Sequence, residues 1–406
     1  MTSADKKWLT VVGVGDDGLP GLGSAARGLI DEAEVFVGGA RHLAMLPQDG
    51  RDRLSWPKPF NTMNEKLAEL SGRRVCVLAS GDPCCHGVGA VLARRFDPAE
   101  MLIVPAPSAY SLACARLGWS MPQVDTLSVH GRPLERLHPF LQPGAKLLLL
   151  SENGSTPAKV AALLRARGFG TSRLTVLSHL GGDKESIESR TAEEWIDARE
   201  VAPLNTIAIE CEASPGASIL ARTPGLPDEA YDHDGQLTKR EVRAITLSSL
   251  GPWPGQHLWD VGAGCGSIAI EWMRHDHRCR ATAIEPEPQR VKMLQSNALA
   301  LGTPELTIKQ GRAPAALEDL TMPDAVFVGG GISEPGLIET CWDRLGEGGR
   351  LVANAVSLEG ETILNQWQAT HGGQLIRIAV ERAGPIGRFR AWRPAMRVTQ
   401  LSLRKA

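Results

Sequence analysis

In "DVGAGCGS" an apolar run ends on Asp260 and leads into Gly262, Gly264 and Gly266, spaced by single residues. Glycines at a strand end let the backbone turn tightly and approach a ligand that side chains would keep away. The dinucleotide fingerprint spaces its glycines G-x-G-x-x-G and sets a pyrophosphate against the next helix. Position 267 is Ser, so that fingerprint fails. An acidic strand end before G-x-G-x-G suits S-adenosylmethionine better, since that ligand brings an ammonium, a carboxylate and a sulfonium but no phosphate. Glu285 closes the run "ATAIE" about 20 residues further on, where a carboxylate can accept both ribose hydroxyls. Gly329 to Gly331 in "VFVGGGISE" leave room for a bulky reactant over a methyl group.

Three further loops stand in the first half. "VVGVGDDG" holds Gly13 and Gly15 at a strand end, which alone says little. "LASGDPCCHGVG" places Gly81-Asp82-Pro83 directly after a strand, and "VPAPSAYSLACARLG" carries Pro107, Ser108 and Ala109 into a small-residue helix. Gly81-Asp82-Pro83 reads either as a ligand loop or as a plain turn in which Asp82 caps a helix. His86, Glu271 and Asn354 are candidate catalytic groups, although a lone loop histidine such as His86 is as readily a bystander. "RHDHRC" offers His275, His277 and Cys279 in a polar turn without a fourth ligand, so no metal site is expected.

The elements that must position these loops come in two series. Strands are expected at Leu9–Val14, Glu34–Val37, Val75–Ala79, Met101–Val104, Thr126–Val129, Lys146–Leu150, Leu174–Ser178 and Asn205–Glu210, with helical patterns between several of them. Such alternation predicts a largely parallel, covered sheet. Residues 214–234 are rich in Pro, Gly, Ser and Asp and read as a linker. Beyond it "LTKREVRAITLSSLG" restarts a helix, and Thr238 with Glu241 has capping-box spacing. Strands then follow at His257–Val261, Arg280–Ile284, Leu306–Gln310, Ala325–Val328, Arg350–Asn354, Gln374–Val380 and about Met396–Leu403. This gives an α/β domain over 8–213 and a second over 235–406, the latter doubly wound with an antiparallel end.

Composition narrows the classes. With 406 residues, 43% hydrophobic and 22% charged, the chain reads as globular, and a formal charge of −2 gives no pull toward nucleic acid or an anionic membrane. None of the eight cysteines has C-x-x-C spacing, so free thiols in a reducing compartment are expected. The N-terminus lacks an apolar secretory core, and no run has the length of a membrane span, which points to the cytoplasm.

The three N-terminal loops, in their order, resemble class III methyltransferases, the tetrapyrrole methylase fold of two α/β subdomains with the cofactor folded into a cleft. That likeness covers nearly all of 8–213 and implies cofactor contacts from Gly13, Gly15, Gly81, Asp82, Pro83, Ser108 and Ala109. Asp16-Asp17-Gly18 departs from the Pro-Gly that many members carry there. The second half resembles class I methyltransferases, a seven-stranded Rossmann-like fold, and implies contacts from Asp260, Gly262, Gly264, Gly266, Glu285 and Gly329. Many members have an acidic residue near the adenine where this chain has Arg312, which leaves the backbone of Arg312 and Ala313 to read the adenine edge.

With "VGGARHL", "TKREVRA", "DVGAGCGSIAIEW" and "VANAVSLE" also present, the whole chain is similar to the decarboxylating precorrin-6 methyltransferases of cobalamin biosynthesis. The resemblance implies one S-adenosylmethionine per domain, with S-adenosylhomocysteine as product. It implies methylation of carbon 5 by the first domain, and methylation of carbon 15 with loss of the ring-C acetate carboxylate by the second, giving precorrin-8. Aligning the reactants and excluding water would suffice for methyl transfer, and the conjugated macrocycle can take the electrons of decarboxylation. A substrate rich in acetates and propionates calls for cationic donors. "ERAGPIGRFRAWRP" supplies Arg382, Arg388, Arg390 and Arg393 beside Trp392, and Lys239 and Arg240 are further candidates. The arginine cluster reads equally as a solvated basic edge. Self-association is expected of both domain types. Three rivals stay open: an RNA methyltransferase, which lacks a basic stripe here; a nicotinamide oxidoreductase, which lacks the glycine spacing; and a non-catalytic or half-degenerate partner in a biosynthetic complex.

Overall fold

A computed structural model describes residues 7–57, 62–196 and 200–405. The chain forms two compact units. The first takes residues up to Arg132 and Gln142–Ser218; the second takes Pro133–Leu141 and the chain from Ile219 onward.

In the first unit, β1 (Leu9–Val14), β2 (Val35–Gly38), β3 (Asp52–Ser55), β4 (Val75–Ser80) and β5 (Met101–Val104) form a parallel sheet in the order β3-β2-β4-β1-β5. Helices α1 (Ser24–Glu32), α2 (Ala40–Ala44), α3 (Met63–Glu69) and α4 (Val88–Leu92) provide its crossovers. Its central strands are covered on both faces, which is why they read as unbroken apolar runs such as "VCVLAS". After α5 (Ala109–Leu117) a second sheet gathers β6 (Asp125–Ser128), β7 (Lys146–Leu150), β8 (Arg173–Ser178), β9 (Ser186–Thr191) and β10 (Asn205–Glu210), with α6 (Thr156–Ala166) between β7 and β8. Its order is β6-β7-β10-β8-β9, and only β6 and β7 pair in parallel. The expectation of a largely parallel sheet fails here, because β8 and β9 are joined by a stretch too short for a helical crossover. Strands β3 and β9 escape the sequence pattern because both are sheet edges with polar residues; Ile187, the one large apolar residue of β9, is itself exposed.

The second unit holds α7 (Arg240–Leu250), β11 (His257–Val261), α8 (Ser267–His275), β12 (Arg280–Glu285), α9 (Pro288–Ala300), β13 (Thr307–Gln310), β14 (Ala325–Val328), α10 (Leu337–Arg344), β15 (Arg350–Ala355), α11 (Leu358–His371) and β16 (Gln374–Ile378). A hairpin, β17 (Glu381–Ile386) and β18 (Phe389–Pro394), precedes β19 (Val398–Arg404). Seven strands lie in the order β13-β12-β11-β14-β15-β19-β16, parallel except around β19. Apolar clusters cover both faces. The doubly wound sheet with an antiparallel end is therefore present, while the hairpin carrying the arginine cluster was not foreseen.

The stretch read as a linker is packed structure. Leu220, Leu226 and Tyr231 are buried in the second unit's core. Aperiodic chain can be held by side chains that bond its backbone, and α8 does this. Glu271 accepts the N–H groups of Gly225 (2.6 Å) and Leu226 (3.0 Å), and Arg274 donates to the carbonyls of Leu220 and Ala221. The capping box does not form: α7 starts at Arg240 with Lys239 as its cap, and Glu241 turns instead to Arg382. All eight cysteines are free. No described helix is long and apolar enough to cross a membrane.

Candidate functional site

The second unit contains a cavity of about 870 Å3 at the C-terminal ends of its parallel strands. Its floor is the loop after β11. Gly262 and Gly264 have φ of +71° and +58°, and a Cβ on Gly262 would stand 2.9 Å from the Cα of Gly330. Two loops touch there, and only glycine satisfies both the contact and the left-handed turn. Glu285, at the end of β12, is 1% exposed yet lines the cavity. The N–H groups of Gly264 (2.8 Å) and Glu287 (3.0 Å) each bond one of its oxygens, so the carboxylate is fixed with lone pairs to spare.

Asp260 lies beneath the loop and does not line the cavity. Its Oδ2 accepts the N–H of Ala269 at 2.9 Å, and its Oδ1 is buried without a protein partner. Burial, opposed by the Ala269 bond and reinforced by Glu285, pushes its carboxyl up to about 7. Gly266 is one step further out: with φ of +84° it caps α8 and packs on Leu294. Arg312, Ala313 and Gly329 line the cavity, and Arg312 is drawn aside to Glu334 at 2.9 Å.

Of the cationic candidates, Lys239 and Arg382 line the cavity, the latter bonded to Glu241, while Arg240, Arg388, Arg390 and Arg393 do not. The hairpin accounts for this. Arg382 opens β17 beside the cavity, whereas Arg388 sits over Phe389 at the hairpin turn and Arg393 bonds the carbonyl of Pro385. The sequence missed two parts of the wall. One is the strap Gly235–Thr238 leading to Lys239, with Arg290 tied to Asp234 at 2.8 Å. The other is an apolar side of Val242, Val356, Val380, Met396 and Val398.

Two catalytic candidates belong to this unit. Asn354 reaches the cavity and is held by fully buried partners, donating to Thr246 Oγ1 (3.1 Å) and accepting from Gln400 Nε2 (2.9 Å). Glu271 is corrected. It faces the interior, where Arg243 Nε (2.6 Å), the Tyr231 hydroxyl (2.8 Å) and the N–H groups of Gly225 and Leu226 bond its two oxygens. It does not line the cavity, so it has no access to a ligand there.

In the first unit the three loops, two of them glycine-bearing, converge at the ends of neighbouring strands β4, β1 and β5. A Cβ on Gly13 would lie 1.9 Å from the carbonyl oxygen of Gly81 and 2.7 Å from the N of Ala106. The N–H of Gly81 donates to Val14 (3.0 Å), and that of Ala106 donates to Gly81 (3.2 Å). Asp82 accepts the N–H of Cys84 at 2.8 Å, and Ser108 caps α5 by accepting that of Ser111 at 3.1 Å. Both therefore have local roles that build the loops, with Pro83 packed against Gly87 and Gly89, and Ala109 opening α5. Gly15 is folded against Asp17. His86 lies 3.1 Å from Arg132 and edge-on to Tyr110.

The unusual Asp16 anchors a network that the sequence did not disclose. Its carboxylate binds Arg41 at 2.7 Å and His179 Nδ1 at 2.8 Å. Arg41 also reaches His42 and Ser80. Burial, with Arg41 alongside, holds His42 down to about 4.

The loop after β11 fits S-adenosylmethionine on its own geometry: a backbone cradle that a Cβ would fill and a fixed carboxylate at its edge. Comparisons with known proteins agree with this division. Residues 8–195 match the model of Tetrapyrrole (Corrin/Porphyrin) Methylases, and 229–405 match the Precorrin methyltransferase domain. A precorrin-6Y C(5,15)-methyltransferase [decarboxylating] of a Sinorhizobium species is 49% identical, over 98% of this chain and 96% of the relative. One from Mycobacterium tuberculosis is 39% identical over 98% and 100%. The crystal structure of the C-terminal domain of precorrin-6Y C5,15-methyltransferase from Rhodobacter capsulatus is 45% identical, covering 46% of this chain and 100% of that one, with a TM-score of 0.44.

Proposed function

Since the chain belongs to the family of decarboxylating precorrin-6Y C(5,15)-methyltransferases, we propose that it methylates carbons 5 and 15 of precorrin-6Y and decarboxylates the ring-C acetate, using one S-adenosylmethionine in each unit. The observation that carries this reading is that two unlike methyltransferase modules lie in one chain, which aligns end to end with relatives of that name. It is an enzyme of cobalamin biosynthesis, with a tetrapyrrole precursor as its substrate.

When bound, S-adenosylmethionine would supply the methyl group that a nucleophilic ring carbon takes up. The chain's own residues set the alignment. In the second unit Glu285 receives the ribose hydroxyls, the Gly262–Gly264 backbone lies against the amino-acid end, and the backbone of Arg312 and Ala313 reads the adenine edge. Gly329–Gly331 leave the approach to the methyl open. Lys239 and Arg382 meet substrate carboxylates at the cavity mouth, where Arg382 exchanges Glu241 for a substrate group. The apolar side of Val242, Val380, Met396 and Val398 excludes water from the carboxylate that is lost. A charged carboxylate is disfavoured there relative to neutral carbon dioxide. Asn354 projects a fixed amide into the same cavity. In the first unit the Gly13, Gly81 and Pro107–Ser108 loops form the corresponding cofactor end.

The test is incubation of the full chain with precorrin-6Y and methyl-labelled S-adenosylmethionine, followed by product mass. Two labelled methyls and loss of one carbon dioxide are expected; one methyl without decarboxylation would confine activity to a single unit. Calorimetry should count two cofactor sites per chain. Self-association is part of the same proposal and is read by analytical ultracentrifugation.

A further inference from the structure

Replacing hydrogen by methyl on a ring carbon releases one proton for every methyl transferred, and the residues assigned above to the first unit leave that proton without an acceptor. We propose that His179, oriented by Asp16, is the base that takes it. The inference rests on the C-methylation reading of the first unit.

Two histidines are the non-glycine residues with positive φ among those described: His86 at 55° and His179 at 51°. Such backbone persists where the surroundings over-determine it, and it gathers at sites with a task. The two differ in what holds the ring. At His86, Arg132 Nη1 stands 3.1 Å from Nδ1. Guanidinium nitrogens only donate, so that lone pair is occupied. At His179 the polarity is reversed. Nδ1 lies 2.8 Å from Asp16 Oδ2, and a carboxylate oxygen accepts, so Nδ1 carries the hydrogen and Nε2 keeps its lone pair.

Asp16 is itself fixed. Its other oxygen binds Arg41 at 2.7 Å, and it follows directly on Gly15 in the loop that touches Gly81 and Ala106. The His179 backbone is pinned on both sides, its N–H to Leu204 and its carbonyl by Gly182. The ring is 26% exposed, so it is reachable, whereas Asp16 behind it is 16% exposed. A carboxylate that fixes the tautomer and stabilises the imidazolium, with the far nitrogen free to act, is the arrangement of general-base histidines.

The step balances. The new C–CH3 bond forms as the donor's S–CH3 bond breaks and its electron pair stays on sulfur. The ring C–H bond then breaks, its electron pair returns to the conjugated system, and the proton passes to Nε2. His179 is the catalytic residue; Asp16 and Arg41 are positioning residues.

The test uses the full chain. With precorrin-6Y and labelled cofactor, His179→Gln should keep carbon 15 methylation and decarboxylation and slow carbon 5 methylation by roughly 10²–10⁴-fold. Calorimetric affinity of the first unit for S-adenosylmethionine should change less than about twofold, since a base does not hold the donor. Independently of turnover, ¹⁵N-histidine NMR of the cofactor-free protein should show His179 protonated at Nδ1, and Asp16→Asn should shift that tautomer equilibrium. The NMR result stands even if His179→Gln does not fold. Carbon 5 methylation within threefold of wild type in His179→Gln, or a hydrogen on Nε2 rather than Nδ1, overturns the proposal. Absence of carbon 5 methylation in the wild-type chain would instead overturn the functional reading beneath it.

Discussion

The two glycine loops look alike as sequence and need their glycines for different reasons. After β11, Gly262, Gly264 and Gly266 all take positive φ, and the first two floor a cavity whose polar edge is Glu285. After β1, Gly13 is required because a second backbone, at Gly81 and Ala106, passes within 3 Å of where its side chain would be. The second unit uses glycine to turn around a cavity; the first uses it to join three loops. Polar chemistry follows the same division. The second unit buries a charged pair away from its cavity, whereas the first leaves Asp16, Arg41 and His179 partly exposed beside its loops.

This contrast can be broken or sharpened by measurement. The largest effect is expected inside the second unit, where Arg243 and Glu271 lie 2.6 Å apart and at most 2% exposed. Removing one partner strands a buried charge, so Arg243→Met should cost about 3–5 kcal/mol. Arg41→Met, at a pair 37% and 16% exposed, should stay within about 1 kcal/mol. Denaturant titration followed by hydrogen exchange over each unit checks this, and equal losses would erase the distinction.

Gly13→Ala should come next. Its Cβ would overlap backbone that cannot move independently, at a cost upward of about 3 kcal/mol. Gly262→Ala meets its neighbours at 2.9 Å and pays for a left-handed turn, about 2 kcal/mol. If Gly13→Ala is tolerated, the three-loop junction is not what demands glycine.

The units should also diverge with pH. Asp260 rises from 3.8 to about 7 on folding, so between those values the folded state holds a proton that the unfolded chain has lost, and the second unit loses stability as pH rises. His42 falls from 6.5 to about 4, so there the unfolded chain binds the proton and the first unit gains stability as pH rises. Hydrogen exchange at pH 5 and 7 should show opposite slopes, abolished separately by Asp260→Asn and His42→Gln. A rise in both units would contradict the Asp260 assignment, and a fall in both would contradict that of His42.

Smaller effects concern binding. Glu285→Gln should weaken cofactor at one of two calorimetric sites about tenfold, the worth of one charge-assisted hydrogen bond. Arg382→Ala should raise the substrate KM several-fold, against little change for Arg388→Ala, because only Arg382 lines the cavity. The reverse ranking would move the clamp onto the hairpin.

The expected strands formed with shifts of a residue or two, because each is a short apolar run whose pattern is local. The elements missed were β3, β9 and the β17–β18 hairpin, where polar edges carry no such pattern. Site residues divided in the same way. Gly262, Glu285 and Gly329 were legible from their distance to a strand end. Lys239 and Arg382 could not be told from Arg240 and Arg388, since charge alone does not say which side chain faces a cavity. Glu271 looked available because a helix sequence does not show which strap will lie over it.

By itself the sequence determined two α/β modules, their glycine loops and the acidic partner of the second loop, since strand, turn and strand end lie within a few residues of one another. Tertiary structure alone decided which polar groups are spent on the fold and which are left for chemistry. Glu271 is spent on Gly225, Leu226 and Tyr231, 40 or more positions away, and Asp16 finds His179 at a separation of 163. The physical reason is that a hydrogen bond exists only between partners the fold has brought within about 3 Å, and no local pattern records that meeting.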